Sequence, residues 1–450
     1  MSSNAAAKAP TANPAGDYAA VIALDWGDRR HAWAEARNVA ECPRLGWLEN
    51  TPEAIDEWAR QIRQRYPGQL VAVVLEQRRG ALVAKLSKYE YLILCPVNPV
   101  SLARYRKAFR PSGAKDDPSD ALAEIDLFFR HPEQCPPLRP DTVETRTVQF
   151  LTEDRRRLVD ERTRTVHRLR DQLKRYFPQI PLWFPEIDTP MVVDLLRRWP
   201  TLDALGRARP QTLRSFFRAH HVYDEALVEK RVAAIGTALS ATCDEAVIQS
   251  GLLFVRHTLG LLDQLHRAIA DYDARIRKVA EAHPDYAVAK SFPGAGDVLA
   301  PRLVAAAGTD RRRFATAVDL QNYSGISPVM ERSGRQVWVH ARYACPEFVR
   351  QTFHEWAEHS IPQCDWAKAF YESKLARGAK PQAAIRALAY KWMRIFFRCW
   401  QDRTPYCDAY YEQHLKERHA RQAKAEARQS NVQIQWKKEG GFFKPTSILT

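Results

Sequence analysis

The sequence predicts an α/β N-terminal domain, then long helices, then a mostly α C-terminal domain. Three observations carry this prediction. Short apolar runs, two of them ending in an acid, alternate with helical patterns over residues 18–129. Two long patterns with apolar positions spaced by threes and fours follow, over residues 142–177 and 252–282. Beyond residue 291, glycine-rich turns separate helices rich in arginine and aromatic side chains.

The N-terminal elements follow in order. Residues 18–26 (YAAVIALDW) are an apolar strand reaching Asp25, and residues 31–37 and 46–49 read as a second and third strand. Residues 51–66 open with T-P-E, so Thr51 caps a helix and Pro52 suits its first turn. Residues 70–76 (LVAVVLE) are again a buried-type strand ending in an acid, Glu76. Residues 80–88 are helical, 91–97 (YLILCPV) form a strand, and 101–109 and 117–129 are helices. Three strands, helix, strand, helix, strand, helix is the order of a ribonuclease-H-like fold, expected over residues 18–135. The proline-rich stretch 131–140 (HPEQCPPLRP) closes it. Residues 1–17, rich in Ala, Pro, Asn and Ser, are expected to form a disordered tail.

Residues 141–290 are expected to form a helical stalk. Val148, Leu151, Leu158, Val166, Leu169 and Leu173 share one face of the first long pattern. Val255, Leu259, Leu262, Leu265, Ile269, Tyr272, Ile276 and Val279 share one face of the second. These are coiled-coil spacings, and the simplest arrangement is an antiparallel pair. Residues 178–250 read as a small helical insert, clearest at 190–199 and 202–220. Residues 291–412 form the C-terminal domain, and 413–450 a basic tail.

Lys plus Arg is 68 against 53 for Asp plus Glu, a net charge of +15. Such a balance favours a polyanionic partner, because each cation set on a phosphate releases a condensed counterion. No apolar run reaches the roughly 18 residues of a membrane span, and the N-terminus lacks the pattern of a secretory signal. The 8 cysteines contain no C-x-x-C pair, which argues against a zinc framework or disulfide scaffold and for reduced thiols in a cytoplasm.

Four acids are candidates for chemistry. Asp25 and Glu76 each end an apolar strand, and Asp117 and Asp120 lie three apart at a helix start, on one face. Such a cluster repels itself without a cation. Oxygen-only ligands favour Mg²⁺ or Mn²⁺, and two such ions suit phosphoryl transfer. Asp28 and Asp116 are nearby alternatives that spacing alone does not exclude. The segment YSGISPVMERSGR holds Ser333 between Arg332 and Arg335. Flanking arginines suit a phosphate beside a serine nucleophile, although on residues alone a solvated S-G turn is the plainer reading. FPGAGDVLAPRLVAAAG resembles the turn of a helix-hairpin-helix, with Gly294 and Gly296 offering backbone N–H groups to a phosphate; a tight helix–helix turn reads equally well. Over residues 374–400, Lys374, Arg377, Lys380, Arg386, Lys391, Arg394 and Arg398 interleave with Tyr390, Trp392, Phe396, Phe397 and Trp400. The aromatics at that spacing read first as core, and the basic face as the nucleic-acid contact.

Together the motifs ALDWGDRRH, VVLEQ, AKDDPSDALAEIDLF, SFPGAGDVLAPRLVAAAG and QNYSGISPVMERSGR, with residues 377–380 beyond them, resemble one family over nearly the whole chain. It is the insertion sequence one-hundred-and-ten family, whose transposases join a RuvC-like DEDD domain to a serine-bearing transposase domain. The resemblance places the family's acids on Asp25, Glu76, Asp117 and Asp120. Its K-x-D-x-x-D pattern, with Lys115, favours Asp117 over Asp116, and its catalytic serine falls on Ser333. Trp26 and the Gln77-Arg78 pair depart from the usual residues there, and the region between the domains is longer than in compact members. The resemblance implies an RNA-guided recombinase acting through Mg²⁺ or Mn²⁺ and a covalent phosphoserine–DNA link. It also implies donor and target DNA and a structured non-coding guide RNA as partners, a homo-oligomer of two to four subunits, and a nucleoid-associated location in a bacterial cytoplasm. Lys115, Arg332, Arg335, Arg377 and Lys380 are the expected nucleic-acid contacts. The alternatives are a RuvC-like nuclease or junction resolvase that uses water, and a non-catalytic nucleic-acid-binding protein.

Overall fold

A computed structural model describes residues 17–109, 117–334, 336–411, 413 and 417, with only the backbone of Asp117. Lys115, Asp116, Arg335, the first 16 residues and most of the tail beyond 412 lie outside the described residues. The chain divides into two compact units that meet in sequence at Pro140 and Asp141.

The first unit is built on a five-stranded sheet of order β3-β2-β1-β4-β5. Its strands are β1 (Ala20–Asp25), β2 (Arg30–Ala36), β3 (Arg44–Glu49), β4 (Val71–Leu75) and β5 (Leu92–Pro96). β1, β2 and β3 pair antiparallel, whereas β1, β4 and β5 pair parallel. Helices α1 (Pro52–Arg65), α2 (Ala81–Leu86), α3 (Pro99–Phe109) and α4 (Asp117–Arg130) complete the unit. Thr51 caps α1 by accepting from the N–H of Ala54. β1 as far as Leu24, and all of β4, are apolar because both their faces are covered. Ala20, Ile22, Leu24, Val71, Val73 and Leu75 pack with α1 and α2. The alternate residues Val21, Ala23, Ala72 and Val74 pack with Leu102 of α3 and Ala121, Ile125 and Phe128 of α4.

The second unit starts with two long helices, α5 (Val143–Tyr176) and, later in the chain, α11 (Glu245–Glu281). They run antiparallel side by side. Arg155 pairs with Asp273 near one end, and at the other the ring of Tyr176 lies so close to Gly251 that a Cβ there would sit 2.6 Å from it. Val148, Leu169 and Leu173 of the expected first face are buried, as are Val255, Leu259, Leu262, Leu265, Ile269 and Ile276 of the second. Thr145, Thr152 and Thr165 share the buried face of α5, and Leu151 and Leu158 are only half-buried. Between the long helices stand α6 (Gln179–Trp183), α7 (Pro190–Arg198), α8 (Leu202–Gly206), α9 (Pro210–Ala219) and α10 (Glu225–Thr237). The pattern read as one helix over 202–220 is two, broken before Pro210, whose ring cannot continue a helix.

The remainder comprises α12 (Tyr286–Lys290), α13 (Gly296–Ala307), α14 (Ala317–Ser324), the hairpin β6 (Val329–Ser333) and β7 (Gln336–His340), α15 (Glu347–Ser360), α16 (Asp365–Ala376) and α17 (Pro381–Asp402). Its core is aromatic: Phe292, Phe353, Trp356, Trp392, Phe396 and Trp400 are all buried together. Three of the aromatics that interleave the basic residues of α17 are therefore core residues. No described helix is long and apolar enough to cross a membrane.

Candidate active site

In the first unit, strand register sets the acids. β1 and β4 pair Ala23 with Val74, so continuing the parallel register by two residues sets Asp25 beside Glu76. Side chains alternate across a strand. Val21 and Ala23 face α4, as do Ala72 and Val74; Asp25 and Glu76, two residues further on, therefore project from that same face. Both are partly exposed.

α4 brings the other acids to this face. Its buried stripe runs Asp120, Ala121, Glu124, Ile125 and Phe128, the spacing of one helix face. Asp120 is 4% exposed and pairs with Arg106 of α3. Asp117 opens α4 one turn earlier. The fifth acid, Glu124, was absent from the sequence reading. It is fully buried, and neither carboxylate oxygen has a hydrogen-bond partner. Burial raises its pKa well above the usual carboxylate range, and the charges of Asp25, Glu76 and Asp120 raise it further. The backbone of Leu24 offsets this only in part. Asp25, Glu76, Asp120 and Glu124 thus share one electrostatic neighbourhood. The i, i+4 relation of Asp120 and Glu124 was the sequence signal for it. Among the described residues no three acids already stand in metal-holding geometry. The donor set nevertheless suits a hard divalent cation: all oxygens, with an orphaned buried carboxyl at its base.

The loop after β1 is held by His31, whose Nδ1 accepts from the N–H of Gly27 at 3.2 Å. Burial lowers the pKa of this histidine, against a hydrogen bond with Asn50. Asn50 also donates to the carbonyl of Asp28 at 2.9 Å and accepts from Lys85 at 3.0 Å. Asp28 itself is exposed.

In the second unit, Ser333 is the last residue of β6, paired with Gln336 across the turn. The turn begins at Gly334 with φ +57°, a left-handed conformation that suits glycine. The hairpin was not foreseen as strands, because its residues carry no buried-face alternation: all are exposed or half-buried. Register puts Ser333, Glu331, Trp338 and His340 on one face and Arg332, Met330, Val337 and Val339 on the other. His340 and Glu331 lie 3.6 Å apart. Arg332 therefore stands across the ribbon from the serine hydroxyl.

Met330 and Val339 line a groove of about 1680 Å³, whose other wall includes Lys374, Arg386, Tyr390 and Arg394. Among the described residues Arg386 and Arg394 make no ion pair, whereas Arg398 pairs with Asp402. Arg377 and Lys380 are exposed in the turn between α16 and α17. Gly294 (φ +75°) and Gly296 (φ +53°) sit at the turn into α13. The Gly294 N–H donates to Gln363 at 2.9 Å, and a Cβ on Gly294 would lie 2.5 Å from the backbone of His359. Gly294 is thus bound into the protein's own packing, while nothing crowds Gly296.

The chain thus joins an α/β unit that presents strand-end acids to a helical unit with an exposed hairpin that carries Ser333. Residues 22–178 match the family model of the IS110 DEDD type, described as a transposase, and residues 286–372 match the one described as "Transposase IS116/IS110/IS902 family". The chain is 26% identical over 361 residues to the mini-circle putative transposase for IS117 of Streptomyces coelicolor, covering 74% of this chain and 81% of that one. It is 25% identical to the 44.8 kDa protein of insertion element IS116 of Streptomyces clavuligerus, covering 68% and 76%. It is 26% identical to the 42 kDa protein of insertion element IS900 of Mycobacterium paratuberculosis, covering 66% and 74%. The chain belongs to the IS110 family of insertion-sequence transposases, with DNA as its substrate.

Proposed function

We propose that this transposase is an RNA-guided serine recombinase whose acid site, in a ribonuclease-H-like domain, works with divalent cations. The observation that carries the reading is the common face of Asp25, Glu76 and Asp120, two adjacent strand ends opposite one helix. Asp25, Glu76, Asp117 and Asp120 would hold Mg²⁺ or Mn²⁺, which supplies charge stabilisation to a phosphoryl transfer. Ser333 attacks a DNA phosphate. An Oγ–P bond forms, one deoxyribose oxygen leaves with the electron pair of its P–O bond and takes up a proton to become a hydroxyl, and the serine proton passes to water or a neighbouring base. The phosphoserine link keeps the phosphodiester bond's energy for rejoining. The exposed hairpin tip supports this role, since a serine there is open to a DNA backbone.

Donor and target DNA and a structured guide RNA would lie on the basic surfaces, with Lys115, Arg332, Arg335, Arg377 and Lys380 on phosphates and the turn at Gly294 and Gly296 alongside. The working form is a homo-oligomer of two to four subunits, for which the antiparallel long helices offer a coiled-coil-like stalk. The test is a denaturing gel of protein incubated with its RNA, DNA and Mg²⁺. A covalent protein–DNA adduct is expected, and it is lost in Ser333→Ala and Asp25→Ala. Recombination at the normal rate by Ser333→Ala would sink the mechanism. Strand cleavage without an adduct, untouched by Ser333→Ala, would select a water-using nuclease or junction resolvase instead.

A further inference from the structure

We propose that Glu124 is a fifth carboxylate of the cation site, lying at its base and helping to hold the divalent ion. This inference rests on the metal-site reading above.

Along the buried stripe of α4 the neighbours of Glu124, namely Ala121, Ile125 and Phe128, are apolar and pack against the sheet. Leucine or methionine has nearly the same length and would fill the position without burying a polar group. A carboxyl group there instead leaves two oxygens with no partner and no exposure. Buried polar groups are normally satisfied, and an exception calls for a reason such as a bound ion.

The surroundings narrow that reason to a cation. The charged groups that bear on Glu124 are Asp25, Glu76 and Asp120, all acids. Arg106, a cation reaching this cluster from α3, is engaged by Asp120. The one protein group that favours a charged Glu124 is the Leu24 backbone, and it offsets the burial and the three acids only in part. A divalent ion takes about six oxygen ligands, and the strand-end acids and Asp120 supply some of them. An ion held there relieves the mutual repulsion of the acids and gives the orphaned oxygens a partner. Glu124 lies one helical turn beyond Asp120, on the same face and deeper in the domain, where a ligand from below meets ligands from the strand ends.

The experiment is a Mn²⁺ titration of the full-length protein without nucleic acid, read by the electron paramagnetic resonance signal of free Mn²⁺ and by the Mn²⁺-induced rise in melting temperature. Glu124→Gln keeps shape and removes the charge. It is expected to weaken Mn²⁺ binding about tenfold or more and to lose most of the Mn²⁺-induced rise, while melting no lower than wild type in EDTA. Mn²⁺ affinity equal to wild type would overturn the proposal. Should Glu124→Gln fail to fold, Glu124→Met preserves the volume and is read the same way. Asp25→Asn runs in parallel. If it too leaves Mn²⁺ binding unchanged, the metal-site reading itself falls; if it weakens binding and Glu124→Gln does not, only the role of Glu124 falls.

Discussion

Glu124→Gln has a consequence for stability that is separable from metal binding. In EDTA the buried carboxyl of Glu124 binds its proton more tightly in the folded chain than in the unfolded one, because burial and three neighbouring acids oppose its charge. An ordinary glutamate titrates at 4.5. Between that pH and the raised folded value, the folded state holds more protons than the unfolded state. Stability therefore falls as pH rises through this window. Each unit of separation takes away about 1.4 kcal/mol, which for a domain of this size is about 3–5 °C in melting temperature. Gln carries no charge, and its amide N–H groups can donate to the acids around it. The variant should thus match wild type near pH 4.5 and melt progressively higher than wild type toward neutral pH. Differential scanning calorimetry of both proteins in EDTA at several pH values measures this. A variant destabilised by the same amount at every pH would refute the electrostatic account and leave Glu124 as a packing residue.

Other perturbations follow from the second unit. Arg302, 4% exposed, pairs with Glu355 and donates to Thr352 at 3.2 Å. Arg302→Ala strands part of that network and should cost about 3 kcal/mol, seen as a lower urea midpoint; loss of less than about 1 kcal/mol would mean that Arg156, 3.1 Å from Glu355, suffices for it. Gly294→Ala meets both a positive φ and the backbone of His359, so a loss of about 2 kcal/mol or more is expected, while Gly296→Ala, with nothing crowding it, loses only the conformational part. Arg386→Gln with Arg394→Gln removes two cations from the groove wall. If both contact phosphates, the slope of log affinity for single-stranded nucleic acid against log salt should flatten by about 1.4, and an unchanged slope would remove the groove from the nucleic-acid path.

Legibility in the sequence followed how much of each element's residue pattern is set by burial. β1 and β4 are covered on both faces, so their runs of Ala, Val, Ile and Leu announce buried strands and end where the acids begin. The same holds for α1, whose start is written in Thr51 and Pro52, and for the apolar seam of α11. The β6–β7 hairpin buries almost nothing, so no alternation marks it, and only the turn residue Gly334 hints at its presence. α10 falls within the helical insert expected over 178–250 but is not marked as a separate helix, for a related reason. Of its 13 residues only Val228 and Ile235 are buried, too sparse a stripe to mark a helix.

The acid site shows the same division within a few residues of α4. Asp120 was readable because strand-end acids and a D-x-x-D pair form a recognisable set. Glu124 was hidden by its surroundings: in ALAEIDLFF it looks like the polar punctuation of an amphipathic helix, on the solvent side. Only the register of β1 against β4 and the packing of α4 on that face show that position 124 points inward, under Asp25 and Glu76. A helix period assigns residues to a common face, but which face meets the sheet is decided by the whole apolar stripe. Here Ala121, Ile125 and Phe128 decide it, and they carry Asp120 and Glu124 in with them. The apolar packing of α4 is thus what forces the acids together, and the self-repulsion it imposes is the reason to look for a cation at this site.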